Sequence, residues 1–147
     1  MKIYFAGSIR GGGNDAKLYK KIIECLKKYG KVIGGEHADD KILSALENKD
    51  ADDKYIYNRD SKRLNGADVL VAEVTTPSLG VGYEVGVSIE QGKKILCLFR
   101  QKSDKKKLST MLNGCPKITN ASYRTIEEVK EVIDVFFRDI QKHTKVS

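Results

Sequence analysis

The sequence predicts an α/β fold: a single-domain, doubly wound sheet of Rossmann-like or flavodoxin-like type, with about five parallel strands flanked by helices. Three observations predict it. Short apolar runs at residues 2–6, 31–37, 69–74, 94–99 and, more weakly, 118–123 alternate with segments of helical periodicity. The central run, VLVAEV at 69–74, carries one polar residue, as a strand buried on both faces does. Glycine-bearing turns follow the first and third runs directly, at GSIRGGG (7–13) and PSLGVG (77–82).

Each element can be justified in turn. KIYFA (2–6) reads as the first strand, with Tyr4 aimed at one side of its carboxyl end. A helix from about residue 15 to 29 places Leu18, Ile22, Cys25, Leu26 and Tyr29 along one stripe, with Gly30 as its stop. KVIGGEH (31–37) is a short second strand. Residues 38–52 form a polar, acidic excursion with at most a short helix. The next helix, about 53–64, carries Tyr55, Ile56, Asp60 and Leu64, and Asp60 can face the carboxyl edge of the sheet. After the central strand, Thr75, Thr76, Pro77 and Ser78 break the chain, and Gly80 and Gly82 are expected to let it turn tightly. A helix is expected from about Val81, with Val81, Val85 and Ile89 on one face. KILCLF (94–99) is a fourth buried strand. A charged loop (101–107), a short helix LSTMLNG (108–114) and a weak fifth strand follow. The last helix, about 125–143, spaces Ile126, Val129, Ile133, Phe136, Phe137 and Ile140 as a core face. One domain is expected over 1–143, with a tail at 144–147.

Composition narrows the function classes. At 147 residues, 40% hydrophobic and 32% charged, the chain suits one globular domain. No apolar run approaches the ~20 residues that cross a bilayer, and the amino terminus carries no signal-peptide pattern. A cytoplasmic protein with no membrane partner is expected, with the nucleus also open. Cys25 and Cys97 read as reduced core thiols and Cys115 as a loop thiol. With two histidines and no CxxC, no metal site or cofactor is expected. The net charge of +7 is scattered over lysines without interleaved aromatic residues. It reads as a solvated surface that attracts a small anion, and no specific nucleic acid is expected.

The chemistry gathers at three turns. The loop of Gly7, Ser8, Ile9, Arg10, Gly11 and Gly12 offers backbone N–H groups, a hydroxyl and a guanidinium, the makings of a phosphate site. It lacks the GK[ST] ending of a triphosphate loop, so a single phosphate is expected. The GxGxxxG run at 80–86 fits a dinucleotide fingerprint poorly, because it follows an internal strand. Glu84 lies in the first turns of its helix, where the positive helix end is expected to favour its ionised form. Glu84, Asp60 and the Tyr4 phenol, beside a cradle of Ser8, Arg10 and Ser78, suit cleavage of a nucleotide's glycosidic bond, in which a carboxylate traps an oxocarbenium-like sugar. Glu73 is expected to pair with a cation such as Arg10.

YFAGSIRGG (4–12), YGKV (29–32), Asp60, ADVLVAEVTTPSLGVGYEVG (67–86), GKKILCLFR (92–100) and LSTM (108–111) resemble the 2′-deoxynucleoside 5′-phosphate N-hydrolases of the nucleoside 2-deoxyribosyltransferase superfamily. The resemblance implies that Glu84 is the nucleophile, that Asp60 assists the departing base and that Tyr4 orients glutamate and sugar. It implies that Ser8, Arg10, Gly12 and Ser78 hold the 5′-phosphate, within a substrate-binding set that also takes in Gly7, Ile9, Gly11 and Gly80. It also implies a homodimer in which Ser109 and Met111 reach the neighbouring active site. The substrate implied is a small deoxynucleotide. Three other readings stay open: a nucleoside 2-deoxyribosyltransferase, a cytidine-ribonucleotide N-glycosidase and a non-catalytic monophosphate sensor.

Overall fold

The computed structural model describes residues 1–8, 15–35, 52–102 and 107–144. Within them lie five strands: β1 (Lys2–Gly7), β2 (Lys31–Gly34), β3 (Val69–Glu73), β4 (Lys94–Arg100) and β5 (Thr119–Tyr123). The helices are α1 (Asp15–Leu26), α2 (Asp53–Asn65), α3 (Leu79–Glu90), the four-residue α4 (Thr110–Asn113) and α5 (Ile126–Thr144).

The strands pair in parallel in the order β2-β1-β3-β4-β5, the flavodoxin-like winding. The order reverses between β1 and β3, so α1 and α3, which follow those two strands, pack on opposite faces of the sheet, and the strands' carboxyl ends are where such sheets bind ligands. The register Ile3↔Val69 through Gly7↔Glu73 brings both carboxyl ends level.

Alternation along the strands sorts the core into two halves. Ile3, Phe5, Val69, Val71, Leu96 and Leu98 pack with Ile22 and Leu26 of α1 and with Val129, Ile133 and Phe137 of α5. Tyr4, Ala6, Leu70, Ala72, Ile95 and Cys97 face the other way, against Leu64 of α2 and Val81 and Val85 of α3. Phe137, fully buried and stacked on Tyr29 at 4.6 Å between ring centroids, is the kind of side chain whose truncation to alanine costs ~3–5 kcal/mol. The even-numbered face of β1 thus carries Tyr4 toward α3, and this alternation positions the site.

The structure refines several boundaries. α1 ends in a turn after Leu26, where Tyr29 N–H bonds the Leu26 carbonyl, rather than continuing to 29. β2 ends at Gly34, and the 36–51 stretch lies outside the described residues. α3 begins at Leu79, two residues before the expected start, because Ser78 caps it by accepting from Val81 N–H at 3.3 Å. The turn after β3 is therefore made by residues 75–78. Gly80 and Gly82 lie inside the helix, and neither has positive φ. α4 is shorter than expected, and its Leu112 packs on the second core half.

Candidate active site

Tyr4 of β1 and Glu84 of α3 meet on one face of the sheet. The Tyr4 hydroxyl donates to Glu84 Oε1 at 3.0 Å. Helical spacing explains the meeting: Val81, Glu84, Val85 and Ser88 share one face of α3, and Val81 and Val85 are buried against the sheet. Glu84 is carried inward with them, toward the carboxyl end of β1.

The surroundings of Glu84 correct one expectation. Its carboxyl pKa is pushed up to about 7, first by burial and further by the Asp60 charge, while the Tyr4 hydrogen bond pulls it down. The expected ionisation by the helix dipole does not prevail. Glu84 sits in the second turn of a helix that starts at Leu79, and the dipole fades within the first. Desolvation of a carboxylate outweighs what remains.

Asp60 lies on α2, held by Arg59 Nε at 2.8 Å and Arg59 Nη2 at 3.1 Å, with Arg63 Nη1 at 3.7 Å. Its charge is felt at Glu84, so the three groups singled out in the sequence share one electrostatic site. Beside them, the exposed Tyr57 and Tyr83 hydroxyls lie 3.3 Å apart, linking α2 to α3.

The expected phosphate residues divide. Ser8 is buried at the end of β1, and Gly7 precedes it against the Tyr19 ring. A Cβ on Gly7 would lie 2.9 Å from that ring, so glycine is required there by close approach. Ser78 stands at the head of α3, its hydroxyl still able to donate while it caps. Gly80 is exposed in the first turn, where a Cβ would meet the Ser78 hydroxyl at an ordinary 3.9 Å. Ile9, Arg10, Gly11 and Gly12 lie outside the described residues, and so does the expected Glu73–Arg10 pair. Ser109 begins α4 without a side-chain capping bond, and Met111 is 82% exposed.

Sequence reasoning missed a second polar cluster at the same edge. Glu73, almost fully buried, accepts from Tyr123 OH at 3.0 Å and from Thr75 Oγ1. Burial raises its carboxyl pKa, against those two hydrogen bonds. Asp15, the first residue of α1, pairs with Arg100 at 2.9 Å. An acidic residue closing a glycine-rich loop and an arginine closing a buried strand were the available signals. A groove between α5 and the β4–β5 edge, lined by Lys94, Val132 and Phe136 among others, lies on the other face of the sheet from Glu84. Among the described residues no His/Cys/Asp/Glu group could hold a metal ion. No described helix is long and apolar enough to cross a membrane.

A parallel sheet wound 2-1-3-4-5, with a phenol and two carboxyls at its switch point, defines a doubly wound α/β protein with a carboxylate-centred site. The chain belongs to the nucleoside 2-deoxyribosyltransferase family, whose profile matches residues 3–129. It is 42% identical to 5-hydroxymethyl-dUMP N-hydrolase of Danio rerio, over 97% of this chain and all of that one. It is 45% identical to a putative 2′-deoxynucleoside 5′-phosphate N-hydrolase 1 of Nematostella vectensis, over 95% of each chain. Identity to 5-hydroxymethyl-dUMP N-hydrolase of Homo sapiens is 40%, over 92% of this chain and 78% of that one. Among solved structures, Clostridium botulinum CMP N-glycosidase BcmB shares the fold with a TM-score of 0.62 at 18% identity, covering 92% of this chain and 99% of that one.

Proposed function

We propose that the chain hydrolyses the N-glycosidic bond of 2′-deoxynucleoside 5′-monophosphates to free base and 2-deoxyribose 5-phosphate. The observation that carries this reading is the Tyr4–Glu84 hydrogen bond at the switch point, with the Asp60 charge acting on the same carboxyl. The relatives' names, at 40–45% identity over nearly the whole chain, supply the substrate class.

Glu84 attacks C1′ of the sugar while the C1′–N bond breaks, and the bonding pair leaves with the base. The base gains a proton, in a step assisted by Asp60. Water then attacks C1′, the glycosyl ester opens, Glu84 regains its carboxylate and the water's proton is released. Tyr4 favours the charged, nucleophilic form of Glu84 and fixes its direction. Cationic charge developing on the sugar stabilises that form further in the transition state. The reaction consumes only water and calls for no cofactor.

Ser8, Arg10 and Gly12, with Ser78, hold the 5′-phosphate in this reading, and Gly7, Ile9, Gly11 and Gly80 belong to the same substrate-binding set. Ser109 and Met111 complete the site of a second copy. Ser109 leaves its hydroxyl out of the α4 cap, and Leu79, Met111, Tyr57 and Tyr83 form exposed apolar surface that a partner would cover. The active unit is a homodimer of shared sites.

The test is incubation with the four deoxynucleoside 5′-monophosphates, with 5-hydroxymethyl-dUMP, and with the matching nucleosides and ribonucleotides. Free base and deoxyribose 5-phosphate from the deoxynucleotides alone support the reading. Equal cleavage of phosphate-free deoxynucleosides, or transfer of the sugar to a second base, moves the chain to the transferase chemistry. Preference for CMP moves it to the ribonucleotide glycosidases, and binding without cleavage to the sensors.

A further inference from the structure

Asp60 is held by its own neighbour in the chain. Arg59 Nε donates to Asp60 Oδ1 at 2.8 Å and Arg59 Nη2 donates to Asp60 Oδ2 at 3.1 Å, a side-on fork that engages both carboxylate oxygens. Adjacent residues leave a helix about 100° apart, so side chains at i and i+1 do not ordinarily meet. The Arg59 side chain must therefore fold back along α2 to reach Asp60, and the two stay largely covered, at 22% and 28% exposure. One turn further on, Arg63 Nη1 lies 3.7 Å from the same Oδ1.

This bond does little for the fold. It joins two neighbours on one helix, so it ties no separate elements together, and partly exposed ion pairs add little stability. Its consequence is local: it fixes the plane and direction of the Asp60 carboxylate. A side-on fork takes two of about four lone-pair positions and leaves the others on the far side from the guanidinium. Asp60 in turn acts on Glu84, whose carboxyl feels its charge. The oriented carboxylate thus belongs to the same site as the Tyr4–Glu84 hydrogen bond.

We propose that Arg59 is a positioning residue for departure of the base: its guanidinium fork holds the Asp60 carboxylate in the one orientation from which Asp60 assists the leaving group. The proposal rests on the reading of Asp60 given above. Without the fork the Asp60 side chain regains its rotamers, and a group that must meet the base in the transition state is no longer prepaid in place. The loss falls on the chemical step and grows as the base becomes a poorer leaving group.

The experiment is steady-state kinetics on Arg59→Met, Arg59→Lys, Asp60→Asn and the Arg59→Met/Asp60→Asn double variant. The substrates are 5-hydroxymethyl-dUMP and 5-bromo-dUMP, because bromine makes the departing base the more stable anion. Thermal melts of Arg59→Met should stay within about 3 °C of the wild type. Arg59→Met should lower kcat on 5-hydroxymethyl-dUMP about tenfold and on 5-bromo-dUMP less than about threefold, with KM changed less than about threefold on either. Asp60→Asn should show the same leaving-group pattern. Adding Arg59→Met to it should cost less than about twofold more, since the fork then has no working carboxylate to orient. Unchanged kcat in Arg59→Met, equal losses on both substrates, or losses that multiply in the double variant would overturn the proposal. If Arg59→Met fails to fold, Arg59→Lys carries the test: it keeps the charge without the fork and should lower kcat severalfold on 5-hydroxymethyl-dUMP. An indifferent Asp60→Asn overturns the Asp60 reading and this proposal with it. A damaged Asp60→Asn beside an indifferent Arg59→Met overturns only the role of Arg59.

Discussion

Tyr4 and Glu84, 80 positions apart in the chain, are joined by a hydrogen bond of 3.0 Å between the phenolic hydroxyl and a carboxylate oxygen. That bond lowers the Glu84 pKa while burial and Asp60 raise it, and the result is about 7. Tyr4→Phe removes the lowering influence, so the pKa should rise further. The acid limb of the pH profile of kcat/KM, which reports the free enzyme, should move about one unit toward alkaline pH. Activity near pH 6 should drop about tenfold and recover near pH 8–9. An unmoved acid limb would show that this limb does not report Glu84.

Glu84→Gln should lower turnover by about three orders of magnitude or more, since an amide cannot serve as the nucleophile. More than about a tenth of wild-type turnover remaining would refute the nucleophile assignment. The same variant makes a stability prediction. Between pH 4.5, the ordinary carboxyl value, and about 7, the folded protein holds a proton that the unfolded chain has released. The unfolded state then binds fewer protons, so stability falls as pH rises through this window. Glu84→Gln has no such dependence. Its melting temperature should exceed that of the wild type near pH 8, and the gap should close below about pH 4.5.

Gly7→Ala should destabilise the fold by ~1–3 kcal/mol, because the new Cβ would stand 2.9 Å from the buried Tyr19 ring. Urea unfolding measures it. A cost below ~0.5 kcal/mol would mean that the ring moves aside freely. Tyr19→Leu in the same chain should recover part of the loss, a coupling that a double-mutant cycle detects.

Mixing inactive Glu84→Ala chains with inactive Ser109→Trp chains tests the shared-site dimer. Subunit exchange should restore one intact site per mixed dimer, built from the Glu84 of one copy and the Ser109 of the other. Full activity in a protein that sediments as a monomer, or mixtures that stay dead after proven exchange, would overturn the arrangement. The Tyr4–Glu84 site would survive either result.

Much of the fold was legible in the sequence. Apolar runs of strand length at 2–6, 69–74 and 94–99, separated by helical stripes such as Ile22, Cys25 and Leu26 or Val81 and Val85 and followed by Val129, Ile133, Phe136 and Phe137, led to the parallel α/β sheet that forms. Periodicity reports which face of an element is buried, and burial is what the sheet and its helices are built on. The same logic brought Tyr4, Asp60 and Glu84 to notice, since each falls near a carboxyl strand end or on a helix beside one. Turn chemistry was less legible: the glycines of PSLGVG suggested a turn, but Ser78 caps the helix early enough to enclose them. Tertiary structure alone decided the protonation of Glu84, because desolvation depends on what lies around a carboxyl and not on its place in a helix. It also decided the partners of the buried charges, Tyr123 and Thr75 for Glu73 and Arg100 for Asp15. A sequence pattern marks a polar residue as buried or not. Which donor meets it is settled only when strands distant in the chain come level in register, and by then the meeting belongs to the fold.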